Sequence, residues 1–433
     1  MTAARIIRGS ILSFGQGRVH VFDERGALAV SEQGRILWRG AWAELPEAYA
    51  DAPVEDHGAS IVMPGFIDPH IHFPQYRILA GPGRDLLDWL HRFTFPEEAR
   101  YGDERHVEIA ARIFLQRLFA AGTTSILAFC SVHRLCADIL FAVASSFDMG
   151  LITGKTMMDR NAIPELHDDP ETSARDSEEL IARWHGRGRA RYAVSPRFAI
   201  TSTEAQLAMA GELLKKYPQV FLQTHLSESQ LELETVKRLF PQERDYTAVY
   251  ERFGLLGPRS LFAHGIHLSE SECQRLHDSG STILHCPTSN TFLGSGLFPM
   301  MHVRKAEREV SVGLATDVGG GTSYSMLTTM AEAYKIAMLR GVRLSGLELF
   351  RLATRGNAEA LGLEAEIGSL DRGAYADLVV LDPKATAILA SRHELSSSLE
   401  DVLFALMILG DERAVRATYV AGRAVHVRKG LEA

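Results

Sequence analysis

The chain has no apolar run approaching the roughly 18 residues of a membrane-spanning helix, so nothing in it is expected to enter a bilayer. Its opening residues, MTAARIIRGSILSFG, carry arginines inside the apolar run and no small-residue cleavage site, so no signal peptide is expected. Basic charge is not in excess either. Lys and Arg number 46 against 54 Asp and Glu, a net −8, which offers no footprint for nucleic acid or anionic lipid. Cysteine is scarce: Cys130, Cys136, Cys273 and Cys286 form no CxxC pair, which argues against a disulfide scaffold and against a thiolate-ligated zinc. Cys130 and Cys286 each end an apolar run and read as small buried hydrophobes. The expected compartment is the cytoplasm. Internal repeats and low-complexity stretches are also missing.

What is present is an ordinary globular composition, 46% apolar and 23% charged, on 433 residues, enough for one large domain or a large and a small one. Residues 1–62 alternate in short runs, with strands expected at Arg5–Phe14, Ala27–Val30 and Gly34–Gly40. Strands then alternate with helices. Strands are expected at Met63–His72, Thr123–Phe129, Gly150–Asp159, Arg191–Phe198, Val220–His225, Ser260–His264, Thr282–Pro287 and Val312–Asp317. Helices are expected at Glu104–Ala121, Ser177–Gly186 and Glu204–Tyr217. That rhythm predicts an α/β fold, a (β/α)₈ TIM barrel over 63–366. From Ile367 alternation returns at Gly368–Leu370, Ala376–Asp382 and Val415–Arg428. Residues 1–62 and 367–433 are therefore expected to form a discontinuous β-sandwich from both chain ends.

The chain is organised around Met63–His72, MPGFIDPHIH, a strand that ends in two histidines one residue apart. Period two puts His70 and His72 on one face. His225, His264 and Asp317 fall at the ends of further expected strands, where one barrel mouth would gather them. Imidazoles with one carboxylate suit zinc or iron with an open position for water. Glu228, three residues beyond His225, is placed to shuttle protons from that water.

PGFIDPHIH, THLSE, AHG, HCPTSN and GLATDVGGG together resemble the amidohydrolase superfamily in its metal-dependent deaminase branch. Phe73-Pro74-Gln75, Asp88-Trp89-Leu90, FTFPEEA (93–99), Gly154-Lys155-Thr156, Ser195-Pro196-Arg197-Phe198 and the stretch from Asp317 to Met326 resemble the guanine deaminases within it. The resemblance runs from about residue 60 to 365. It implies one Zn²⁺ per subunit, Fe²⁺ being the second choice, held by His70, His72, His225 and Asp317. Arg197 stands where binuclear members carry a bridging lysine carbamate, which favours one metal. Glu228, His264 and Asp317 are the implied catalytic residues, and Gln75, Trp89, Leu90, Arg197, Phe198 and His264 the implied substrate contacts. The implied reaction is hydrolysis of guanine to xanthine and ammonia, by a homodimer that takes a small purine as its partner. Two rival readings are deamination of another amino-heterocycle and a metal-free assembly protein of the same fold. Phe93 is a further candidate wall of the pocket.

Overall fold

Alternating apolar residues make the first segments strands, because successive side chains of an extended chain face opposite ways. The computed structural model describes residues 3–17 and 19–428. Along the chain come β1 (Arg5–Phe14), β2 (His20–Val30), β3 (Ile36–Ala41) and β4 (Val54–Pro64). Next are β5 (Phe66–His72), β6 (Thr123–Phe129), β7 (Gly150–Gly154), β8 (Thr156–Met157) and β9 (Ala190–Pro196). Then follow β10 (Phe221–Leu226), β11 (Ser260–His264), β12 (Thr282–His285) and β13 (Ser311–Leu314). Last are β14 (Leu378–Leu381), β15 (Val415–Val420) and β16 (Arg423–Val427).

Eight strands run parallel in the order β5-β6-β7-β9-β10-β11-β12-β13, with β8 pairing beside β9. With flanking helices such as Glu104–Ala120 and Glu204–Lys216, this is the expected (β/α)₈ barrel. The seam between β5 and β13 is sewn by a side chain. Asn357 Nδ2 donates to Ile67 O and Leu314 O at 2.7 Å each, and its Oδ1 accepts from Leu314 N at 2.8 Å. The expected strand 150–159 is interrupted at Lys155, whose buried ammonium pairs with Asp168.

The barrel interior is layered. Ile67, Leu127, Ile152, Ala193, Phe221, Leu261 and Leu284 form an apolar floor. Above it Ala263, Cys286 and Ala315 form a layer of small residues, which leaves width for the polar groups at the mouth. Cys286 thus fills the small hydrophobic role expected of it, and all four cysteines are buried and free.

The chain ends form one seven-stranded sheet, β16-β15-β14-β4-β1-β2-β3. Ile36 N donates to Ala374 O and Ala376 N to Gly34 O, which brings the β3 edge back against the C-terminal segment. The sheet thereby encloses a core of its own, with Ile7, Leu28, Val62, Val380 and Ala417 inside. Two expectations are corrected here. Gly368–Leu370 forms no strand. Between β14 and β15 the chain makes two helices, Ala387–His393 and Leu399–Leu409, in a stretch for which no element is expected. Leu403, Leu406 and Met407 of the second pack against Met63 and Phe66 at the sheet–barrel junction. No helix among the described residues is long and apolar enough to cross a membrane.

Candidate active site

His70 and His72 reach the barrel mouth because β5 changes phase. Ile67 belongs to the interior floor, yet His70, three residues on, also faces inward, and the pairing with β6 shifts register between Asp68 and Ile71. Asp68 is buried beneath them, bonded by the Thr316 hydroxyl, and burial lifts its carboxyl to about 6. His264 and Asp317 are turned in by their backbones, at φ 74° and 52°, and Ser227 beside Glu228 has φ 51°. Left-handed backbone is costly for side-chain-bearing residues, and its clustering at one mouth marks where the chain is held for function.

Nε2 of His70 and Nε2 of His72 each lie 3.2 Å from Asp317 Oδ1, and His225 Nε2 lies 3.2 Å from His72 Nε2. One donor atom from each of His70, His72, His225 and Asp317 falls within 4.8 Å of the others. His225 Nδ1 donates to Arg197 O at 2.7 Å, which directs its Nε2 to the cluster. Both ring nitrogens of His70 and Nδ1 of His72 are buried without a hydrogen-bond partner. Burial pushes the His72 imidazole down to about 3, and burial together with the neighbouring rings holds His225 well below its usual value. Burial alone would raise Asp317, but the adjacent His70 and His72 rings keep it well below the carboxylate range. Three imidazoles and one carboxylate converge, with orphaned nitrogens among them, a donor set that fits a divalent transition metal.

His264 Nδ1 donates to Asn290 Oδ1 at 2.9 Å, leaving Nε2 3.4 Å from Glu228 Oε2 and 3.9 Å from Asp317 Oδ2. Glu228 Oε1 accepts from Ser295 Oγ at 3.1 Å. Burial, and then the Asp317 charge, push the Glu228 carboxyl up to about 8.

A cavity of about 350 Å³ opens onto these groups. Of the residues expected to contact substrate, Gln75, Trp89, Leu90, Arg197 and Phe198 line it. Phe93 does not, and Leu86 and Leu293, which pattern reading missed, do. Also missed was Glu98. Its oxygens both accept from Arg197 Nη1 at 2.9 Å, and Oε1 accepts from Gln75 Nε2 at 2.9 Å. The FPEEA motif contains it, but nothing in the spacing tells a buried counter-ion from a solvated glutamate.

Residues 61–425 match the profile of the Amidohydrolase family. The chain belongs to the amidohydrolase family. This amidohydrolase is 45% identical to the guanine deaminase of Escherichia coli, over 94% of its own length and 92% of the relative's. A solved structure of E. coli guanine deaminase superposes with a TM-score of 0.94 at 42% identity, covering 98% of this chain and all of that one. Guanine deaminase from C. acetobutylicum, with guanine bound in its active site, superposes with a TM-score of 0.88 at 28% identity, covering 98% of this chain and all of that one.

Proposed function

We infer that this amidohydrolase is a guanine deaminase, converting guanine and water to xanthine and ammonia. The observation that carries the reading is the convergence on one cavity of a metal donor set, a proton-accepting glutamate and a buried arginine. The similarity to guanine deaminases along nearly the whole chain supports it.

His70, His72, His225 and Asp317 would hold one ion, proposed to be Zn²⁺ rather than Fe²⁺. Such an ion supplies a Lewis acid that makes water nucleophilic near neutral pH. The chain's own residues do the rest. Water adds through its oxygen to C2, perpendicular to the ring. Glu228 takes one proton from that water and delivers it to ring N3, which makes C2 more electrophilic. A carboxyl raised to about 8 can both take and give a proton near neutrality. His264, held by Asn290, orients the attacking oxygen. Asp317 carries the second proton to the departing amine, the C2–N bond breaks, and ammonia leaves xanthine behind.

Arg197 and Gln75 bind the purine edge, with the Arg197 donors matched to acceptors at O6 and N7. Adenine would set its N6 amine against those donors, and a buried site rejects such a mismatch by on the order of 10⁴. Phe198, Trp89 and Leu90 supply apolar walls. A homodimer in the cytoplasm, with the chain divided near residues 62 and 366, completes the proposal. An ultraviolet assay across aminopurines and pyrimidines tests it: guanine is consumed, adenine is spared, and metal analysis finds one zinc per chain. Arg197→Ala keeps the metal and loses guanine turnover. Equal rates on guanine and adenine would overturn the assignment.

A further inference from the structure

The proposed reaction gives no role to a buried carboxylate that touches two of its cavity-lining residues. Glu98 ends the short helix Phe95–Glu98 and is wholly enclosed. Its Oε1 and Oε2 both accept from Arg197 Nη1, and Oε1 also accepts from Gln75 Nε2, each at 2.9 Å. The far end of the Gln75 amide is fixed too, since Gln75 Oε1 accepts from Gly319 N at 3.1 Å. A carboxylate only accepts and a peptide N–H only donates, so only one orientation of that amide satisfies both partners. Glu98 is itself anchored, its carbonyl accepting from Ser131 Oγ at 3.0 Å.

We propose that Glu98 is the positioning residue for substrate recognition, holding Arg197 and Gln75 as one donor array and cancelling the guanidinium charge, so that the site selects a neutral base through O6 and N7. The inference rests on the functional reading above. An arginine side chain free to rotate would lose much of its contribution on binding, whereas one clamped from behind presents its donors already ordered. Glu98 occupies Nη1 and leaves the rest of the guanidinium to the cavity that Arg197 lines. Without the carboxylate, the buried cation would have to find another partner or draw in water.

The test is steady-state kinetics on guanine and on 2-aminopurine, which carries the same C2 amine but no O6. The proteins are the metal-loaded wild type, Glu98→Gln, Glu98→Asp, Arg197→Ala and the Glu98→Gln/Arg197→Ala double variant. Glu98→Gln is expected to raise KM for guanine by on the order of 10- to 100-fold, the scale of one charge-assisted hydrogen bond, with kcat changed far less. Its 2-aminopurine parameters move less, since that base keeps N7 but offers no O6, so selectivity between the two falls. The double variant is expected to lose less than the two single losses multiplied together, because Glu98 acts largely through Arg197. Glu98→Asp keeps the charge and loses one methylene of reach, and it should recover part of the KM. If Glu98→Gln does not fold, Glu98→Asp carries the same comparison. Equal losses on both substrates, multiplied losses in the double variant, or an unchanged guanine KM would each overturn the role of Glu98 alone. A wild type that ignores guanine would overturn the functional reading instead.

Discussion

Glu228 is held from two sides. Ser295 bonds one oxygen, while the backbone N–H of Glu228 donates to Glu232 Oε2 at 2.6 Å, so the side chain proposed to move protons sits on a fixed stalk. Glu228→Gln preserves the shape and removes the base. Metal content should be kept while kcat falls by about 10²–10⁴, the scale of general acid–base catalysis. Near-normal turnover in the variant would make Glu228 a structural residue. At this scale much of the site is legible in the sequence. Ionisable side chains at the ends of apolar runs, as at His70, His225 and Asp317, have few stable roles except convergence. Glu98 was not legible, because a counter-ion's role depends on which cation the fold brings to it. Leu86 and Leu293 stayed hidden for a related reason: an apolar residue carries no mark of whether it faces a core or a cavity.

Asn357 shows how one side chain sustains an element. It satisfies two carbonyls and one N–H at the junction of β5 and β13, the strands that lead into His70, His72 and Asp317. Asn357→Leu fits the volume but strands three buried backbone groups. At about 1–3 kcal/mol for each unsatisfied group, partly recovered by relaxation, a loss of about 3–5 kcal/mol is expected. The thermal midpoint should drop, and metal should be lost at chelator concentrations that leave the wild type loaded. A variant as stable and as tightly loaded as the wild type would show that the seam closes without Asn357. The barrel strands were readable from their apolar runs. The Leu399–Leu409 helix was not, since LEDVLFALMIL is apolar on nearly every side and its length alone sets it apart from a buried strand.

The whole molecule is joined across its two parts by buried charge. Arg189 of the barrel pairs with Asp377 just before β14, and both are nearly enclosed. It also stores imidazoles in neutral form. His285 stacks on Phe298 at 4.3 Å, its Nδ1 lacks a partner, and burial lowers its pKa from 6.5 to about 3. The unfolded chain therefore binds a proton that the folded chain refuses between those values. The stability His285 contributes is complete above about pH 6.5 and is lost as pH falls toward about 3. The slope is about 1.4 kcal/mol per pH unit for each such proton. His285→Phe should flatten the fall in thermal midpoint between pH 6.5 and 5, and an unchanged slope would assign acid sensitivity elsewhere.

The seam has a consequence in time. Asp68 and Thr316 are 248 residues apart, and Asn357 reaches back 290 residues to Ile67. Because chains emerge N-terminus first, His70 and His72 leave the ribosome long before their partners exist. Until Asp317 and Asn357 follow, the growing chain has His70, His72 and His225 but neither the Asp317 carboxylate nor a closed seam. Completion of the donor set and its seam is thereby left until late in synthesis, and nascent fragments that lack Asp317 cannot hold a divalent ion as the finished set of donors would.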